Sequence, residues 1–349
     1  MTTTSNWNLD YYPAYKYTLR SDTCTAVLTD LGARLLELHV PDREGNTADI
    51  VLGRPTPEDI FTDRHYMGAT AGRYAGRILR GQFHLDGVDY QLATNEGTNH
   101  LHGGTRGFDQ YVWSADPHRD EEAVTFTRVS PDGEEEFPGE LATRVTYRLD
   151  GSTLHISMTA TTDRTTIVRL VNHTYFNMAG HDSGTVLDQV LQLNASHYVV
   201  TDPELIPTGE IASVEGTPYD FRKPTAIGER IDQVVNTGAG RVAGGSAGYD
   251  NSWIFDGTGF RVVASLADPG SGRRLELATD QIGVCTYTGG YLAGYTAKGD
   301  KIDAYEPFAG VTLETTALPD DINRGHFPSP ILRPGETYRN EMRLTFTAT

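Results

Sequence analysis

Three times along this chain an alternating apolar run meets a tight turn and returns as a second alternating run. In FHLDGVDYQL, Phe83 and Leu85 precede Asp86-Gly87, and Val88, Tyr90 and Leu92 follow. RVTYRLDGSTLHISM repeats the device with Val145, Tyr147 and Leu149, then Asp150-Gly151, then Leu154, Ile156 and Met158. In FRVVASLADPGSGRRLELATD, Phe260, Val262, Ala264 and Leu266 lead to a Pro269-Gly270 turn. Strand side chains alternate between faces, so a period of two marks a half-buried strand. Asp-Gly tolerates the positive φ angles that a hairpin turn needs. Such units pair antiparallel.

The rest of the chain follows suit. In ARLLELHV, Leu36, Leu38 and Val40 alternate with Glu37 and His39, and Pro41 to Asn46 reads as a turn. EMRLTFTAT closes the chain through Met342, Leu344 and Phe346. Helical patterns are few: GRPTPEDIF with Thr56 as N-cap and Pro57 at the first helical position, and TAIGERIDQVV, where Ile227, Ile231 and Val234 or Val235 share a face. Many short strands parted by Gly, Pro and Asp turns predict an all-β fold, a large antiparallel β-sandwich with very few short helices. SPDGEEEFPGE and NTGAGRVAGGSAG read as long loops rather than linkers, because strands continue on both sides. Residues 1–349 are therefore expected to form a single domain. The acidic run Glu134 to Glu136 reads as a solvated loop face.

Charge and motifs narrow the function. Lys and Arg number 29 against 47 Asp and Glu, a net charge of −18, which argues against nucleic acid and anionic membranes as partners. The first residues lack a basic stretch followed by an apolar one, and no run approaches the roughly 18 apolar residues of a membrane span. Only Cys24 and Cys285 are present, in keeping with a reducing compartment, so the expected location is cytoplasmic. GAGRVA and GGSAG match a dinucleotide fingerprint and a nucleophile elbow as strings, but each needs a strand-to-helix context that GGSAGYDN does not offer. No HExxH, CxxC or EF-hand spacing appears, so neither metal nor cofactor is expected. The Asn172 and Asn194 sequons matter only in a secreted protein.

Chemistry-bearing residues gather in four stretches. LVNHTYFNMAG, from Leu170 to Gly180, carries Asn172, His173, Thr174, Tyr175 and Asn177 in a row. A polar group buried without a partner costs about 1–3 kcal/mol, so this is either an edge strand with a solvated histidine or part of a site. GRYAGRI offers Arg73 and Arg77, NEGTNHLHGG offers Asn95, Asn99, His100 and His102, and GVTLETTALPDDIN offers Glu314, Asp320 and Asn323. Glycines beside these groups let a ligand approach the backbone. Of the tandem histidines, one is expected to be structural and one functional.

GRYAGRI, NHLHGGTRGFDQYVW, DGEEEFPGEL, VNHTYFNMAG, TPYDFRKP and LETTALPDDINRGHFPSPILRPGETY, in this order, resemble the galactose mutarotases, or aldose 1-epimerases, from about Leu31 to about Phe346. The resemblance implies a sugar cleft in a β-sandwich, a free aldose as substrate and interconversion of its α and β anomers. It implies Glu314 as base on the C1 hydroxyl and His173 as acid on the ring oxygen. Arg77 and His102 would hold the ring oxygen side and hydroxyls, and Asp250 would accept from hydroxyls. A monomer or homodimer with a small sugar as partner is expected. The chemistry stands on its own terms: a carboxylate with a reference pKa of about 4.3 is charged at neutral pH, and a histidine near 6.5 can be held protonated by nearby carboxylates.

Three positions depart from the family pattern. Gly76 stands where the resemblance leads one to expect Asn, Cys285 where it expects Gln, and Thr316 ends LETT where it expects LETQ. A small Gly76 is expected to admit a bulkier or differently substituted sugar, and Cys285 to be a packed thiol in the wall. Two other readings stay open: a related enzyme adapted to a modified sugar or hemiacetal, and a non-catalytic carbohydrate-binding sandwich.

Overall fold

The structure is a computed structural model that describes residues 2–8, 13–234 and 248–349. GAGRVA, nearly all of GGSAG, and Val235 lie outside the described residues. The widest layer is a nine-stranded antiparallel sheet. Its order is Ser114–His118, Ala123–Ser130, Leu141–Asp150, Thr153–Thr162, Tyr338–Ala348, Arg273–Thr279, Arg261–Ala267, Val190–Leu193 and Thr225–Ala226. Along Leu141–Asp150 every second residue is buried, as the alternation predicts.

Two five-stranded sheets complete the layers. One runs Thr3–Asn8, Pro13–Arg20, Thr25–Thr29, Arg34–Pro41 and Thr47–Asp49. The other runs Pro207–Ser213, His197–Thr201, Asp250–Ile254, Gly283–Tyr287 and Glu314–Thr316. One apolar core joins all three sheets, with Leu28 and Leu38 from the first five-stranded sheet, Ile156, Leu275 and Leu344 from the nine-stranded sheet, and Trp253 and Val284 from the second. This is the expected β-sandwich. Among the described residues no helix is long and apolar enough to cross a membrane.

Local signals fare unevenly. Thr56 caps Pro57–Phe61 by accepting the Asp59 N–H, and Asp86 and Gly87 take φ angles of 49° and 84° in their hairpin. In the next hairpin Asp150 pairs with Thr153, so the turn sits one residue later, on Gly151 and Ser152. A bulge between Val262 and Ala264 breaks the third alternation. An extra residue there moves the side chains to the other face, leaving Phe260 and Val262 exposed and Val263 buried. Ile227–Gln233 is a 3-10 helix that still buries Ile227 and Ile231.

Of the acidic run, Glu136 alone is exposed. Glu134 pairs with Arg128 and accepts from the Ser130 hydroxyl at 2.5 Å, and Glu135 accepts the Thr105 and Arg106 N–H groups at 2.8 and 3.0 Å. Glu135 thus satisfies two backbone donors of the neighbouring loop, and Glu134 two side-chain donors.

Candidate active site

The second five-stranded sheet supplies three of the expected site residues from neighbouring strands. Asp250 pairs in register with Tyr287, and Cys285 pairs with Glu314. Short paired segments bring in the rest. Arg77–Ile78 lies against His100–Leu101, Thr70–Ala71 against Val171–Asn172, and Tyr175–Phe176 against Val311–Thr312. His173 sits in the gap between two of these segments. One cavity of about 230 Å³ is lined by Gly76, Arg77, His102, His173, Asp250, Cys285 and Glu314. All seven residues singled out from the sequence meet there.

His173 and Glu314 are both 4% exposed, and His173 Nε2 lies 3.4 Å from Glu314 Oε1. The histidine is not solvated. Its ring packs among Tyr66 at 5.6 Å, His102 at 5.2 Å and Tyr175 at 5.2 Å. Asn172, Thr174 and Asn177 of LVNHTYFNMAG are satisfied internally. Asn172 donates to the Tyr147 hydroxyl at 3.0 Å, Thr174 donates to Asn172 at 2.7 Å, and Asn177 donates to the Gly184 and Ala309 carbonyls.

Burial reverses the protonation expected from reference values. It pushes Glu314 up to about 8 and His173 down to about 4, because a low-dielectric site disfavours each charged form. At neutral pH the unliganded pair is a carboxylic acid beside a neutral imidazole, not a carboxylate beside an imidazolium. Thr312 works against that bias. Its hydroxyl accepts the Tyr287 N–H at 3.0 Å, so its own proton points to Glu314 Oε1 at 2.9 Å and favours the carboxylate.

The remaining residues form a rigid frame. Arg77 makes two bonds of 2.7 Å to Glu96 and lies 3.6 Å from Asp250. His102 Nδ1 accepts the Gly76 N–H at 3.2 Å, which leaves the ring proton on Nε2 as a donor. His102, His173 and Glu314 hold their polar atoms within 4.8 Å of one another, as do Glu37, His39 and Asp49, spacings that could hold a metal ion. In the first group the His102 tautomer suits a hydrogen bond better than coordination. In the second, the Lys298 ammonium already lies 2.6 Å from Asp49. Cys285 Sγ is 3.9 Å from Asp250, and burial pushes its thiol up.

A family model described as aldose 1-epimerase matches residues 15–345. The chain belongs to the aldose 1-epimerase family. Galactose mutarotase of Bos taurus is 42% identical over 95% of this chain and 94% of its own length, and aldose 1-epimerase of Escherichia coli is 33% identical over 97% of each. Among solved structures, a GalM/aldose epimerase homologue from C. elegans superposes with a TM-score of 0.86 at 29% identity, covering 95% of this chain and 98% of that one. Family membership makes the protein an isomerase.

Several sequence candidates serve the epimerase scaffold rather than the cavity. His100 is buried with Nδ1 2.9 Å from the Ala93 carbonyl oxygen and its ring against Phe137, so His102 is the cavity member of the tandem pair. Arg73 binds the Pro138 and Gly139 carbonyls, and Asn95 ties Leu101 to Gly104. Asn99 donates to Glu204, Asp320 accepts the Leu79 N–H, and Asn323 donates to the Gln82 carbonyl. Sequence reasoning missed Tyr66, Glu96 and Arg169, which also line the cavity. Arg169 had one visible signal, a lone charge inside the apolar run TIVRLV.

Proposed function

We propose that this epimerase interconverts the α and β anomers of a free aldose by opening and closing its ring, with Glu314 as base and His173 as acid. The observation that carries the reading is the 3.4 Å contact between these two groups in a cavity framed by Arg77, His102 and Asp250. The oxygens they would serve, the C1 hydroxyl and the ring oxygen, hang on the same carbon, so acid and base belong side by side. The names of the relatives lend support.

The steps balance with a single mobile proton. It first passes from Glu314 to His173 across their contact. Glu314 then takes the O1 proton, the C1=O bond forms as C1–O5 breaks, and His173 Nε2–H protonates O5. The pair is left as carboxylic acid and neutral imidazole, the form that burial favours. Rotation about C1–C2 turns the aldehyde. O5 then attacks its other face, His173 recovers the O5 proton, and Glu314 returns one to O1. His102 Nε2–H and the Arg77 guanidinium offer donors to the sugar oxygens.

Anomer exchange by polarimetry or NMR on freshly dissolved α-aldoses tests the reading. The native protein should exceed buffer, and Glu314→Gln should lose about 10²–10⁴-fold, the usual range for proton transfer by a positioned group. Sugar binding without exchange would instead indicate a carbohydrate-binding module. Full activity in the variant would remove Glu314 from the mechanism.

A further inference from the structure

Arg169 is 3% exposed and stands in the cavity wall. Its Nε donates to the Thr316 hydroxyl at 2.8 Å, and Nη1 donates to the Leu318 carbonyl at 2.5 Å and the Tyr74 hydroxyl at 3.3 Å. Tyr74 in turn donates to Asp321. Nη2 lies 3.4 Å from where a Cβ on Gly76 would stand. The space that a larger residue at 76 would enter is thus flanked by a guanidinium, so whatever enters it meets a positive charge.

The three departures from the family pattern meet at this one side chain. Gly76 leaves room for its head, Thr316 bonds its Nε, and Cys285 lies close enough to feel its charge. An amide at 76 or 285 would offer both a donor and an acceptor, whereas a guanidinium offers donors alone. The ligand group that faces it must therefore accept, and an ionised acceptor does so about twice as strongly as a neutral one. Arg77 has Glu96 and Asp250 for company, whereas Arg169 hydrogen-bonds to no carboxylate directly and feels Asp321 from behind Tyr74. Around the cavity Arg64, Arg77 and Arg169 face Glu96 and Asp250, while Glu314 holds its proton. Among the lining residues that leaves an excess of one positive charge, with Asp321 set behind Tyr74 outside the lining, inside a chain of net charge −18.

We propose that Arg169 determines specificity by binding a carboxylate on the sugar, so that the substrate class is the aldohexuronates rather than the neutral hexoses. This rests on the anomer-exchange reading above. A monoanion matches the single excess charge better than a phosphate dianion does.

The test is exchange NMR at anomeric equilibrium with glucuronate, galacturonate, glucose, galactose and glucose 6-phosphate. The native enzyme should show kcat/KM at least tenfold higher for a uronate than for its neutral counterpart. Arg169→Gln should shrink that ratio towards one, mainly through KM for the uronate, and Arg169→Lys should restore part of it. The native comparison needs no variant, so a poorly folded Arg169→Gln does not rescue the idea. Neutral hexoses handled as well as uronates would overturn it and leave anomer exchange standing. Preference for the phosphate would overturn the carboxylate assignment, and exchange of no sugar at all would overturn both readings.

Discussion

In the proposed mechanism one proton serves two groups, and its titration should set the working range. Below about pH 4 His173 gains a second proton for the pair, and above about pH 8 Glu314 loses the shared one. The kcat/KM of the free enzyme should therefore be flat between these limits and fall on both sides, as pH-rate measurements can check. The same groups couple to stability. The folded-state value of Glu314 lies above its ordinary 4.5, so its contribution is present at low pH and is lost as pH rises towards 8. His173 is depressed from 6.5, so its contribution is lost only as pH falls below that value. Between about pH 6.5 and 8 the Glu314 effect is no longer offset by His173, and His39, raised by its bond to Glu37, acts in the same direction, so the melting temperature of the native protein should fall there. Glu314→Gln should make that fall shallower and leave the His39 part; an unchanged slope would assign it to other groups. Both residues were legible because each stands in a polar, glycine-flanked stretch. Their protonation was not, since spacing along a chain says nothing about desolvation. Arg169 was hidden for a related reason: in sequence its partners Thr316, Leu318 and Tyr74 are remote from it.

At the scale of elements, the groups proposed for catalysis hang on segments too short to hold their shape alone: His173 lies between two two-residue strands and Glu314 opens a three-residue one. The loop carrying His102 shows how they are braced. His102 itself has a φ of 49°, and Gly103 follows at 90°, where an added Cβ would fall 1.8 Å from the Gly72 carbonyl oxygen. Gly103→Ala must push this loop off the Gly72–Arg73 segment and carry His102 with it. A misplacement of about 1 Å in a positioning group can cost about 10²-fold, so activity should fall by roughly that factor. Comparing kcat/KM with the thermal melt separates misplacement from unfolding. Hairpins were legible because turn chemistry and alternation are local. The bulge after Val262 was not, because nothing in FRVVASL marks which residue is the extra one.

Across the whole molecule, the widest layer, the nine-stranded sheet, contributes no residue to the cavity wall. The strands that line the cavity belong to the second five-stranded sheet and the short pairs, whereas Ile156 is fully buried in the nine-stranded sheet. Ile156→Ala should cost about 2–5 kcal/mol of stability through lost burial and a residual cavity. It should lower the urea midpoint while the folded enzyme keeps its KM. A changed KM would mean that the two layers are mechanically coupled. The class of fold was legible from the density of hairpins. The strand order was not: Thr153–Thr162 takes as its neighbour Tyr338–Ala348, from the far end of the chain, and no local pattern encodes so distant a pairing.

The double bond from Arg77 to Glu96 has a thermodynamic consequence for ligand capture. A free arginine gives up about 2 kcal/mol of rotamer entropy when it is immobilised. Here the two 2.7 Å contacts fix the side chain before any sugar arrives. Glu96→Ala would release it, so titration calorimetry should show weaker binding with the loss concentrated in the entropy, and the enthalpy of the sugar contact largely kept. The acid beside Arg77 would then act as a splint, set during folding, that spares the ligand the work of ordering its own receptor.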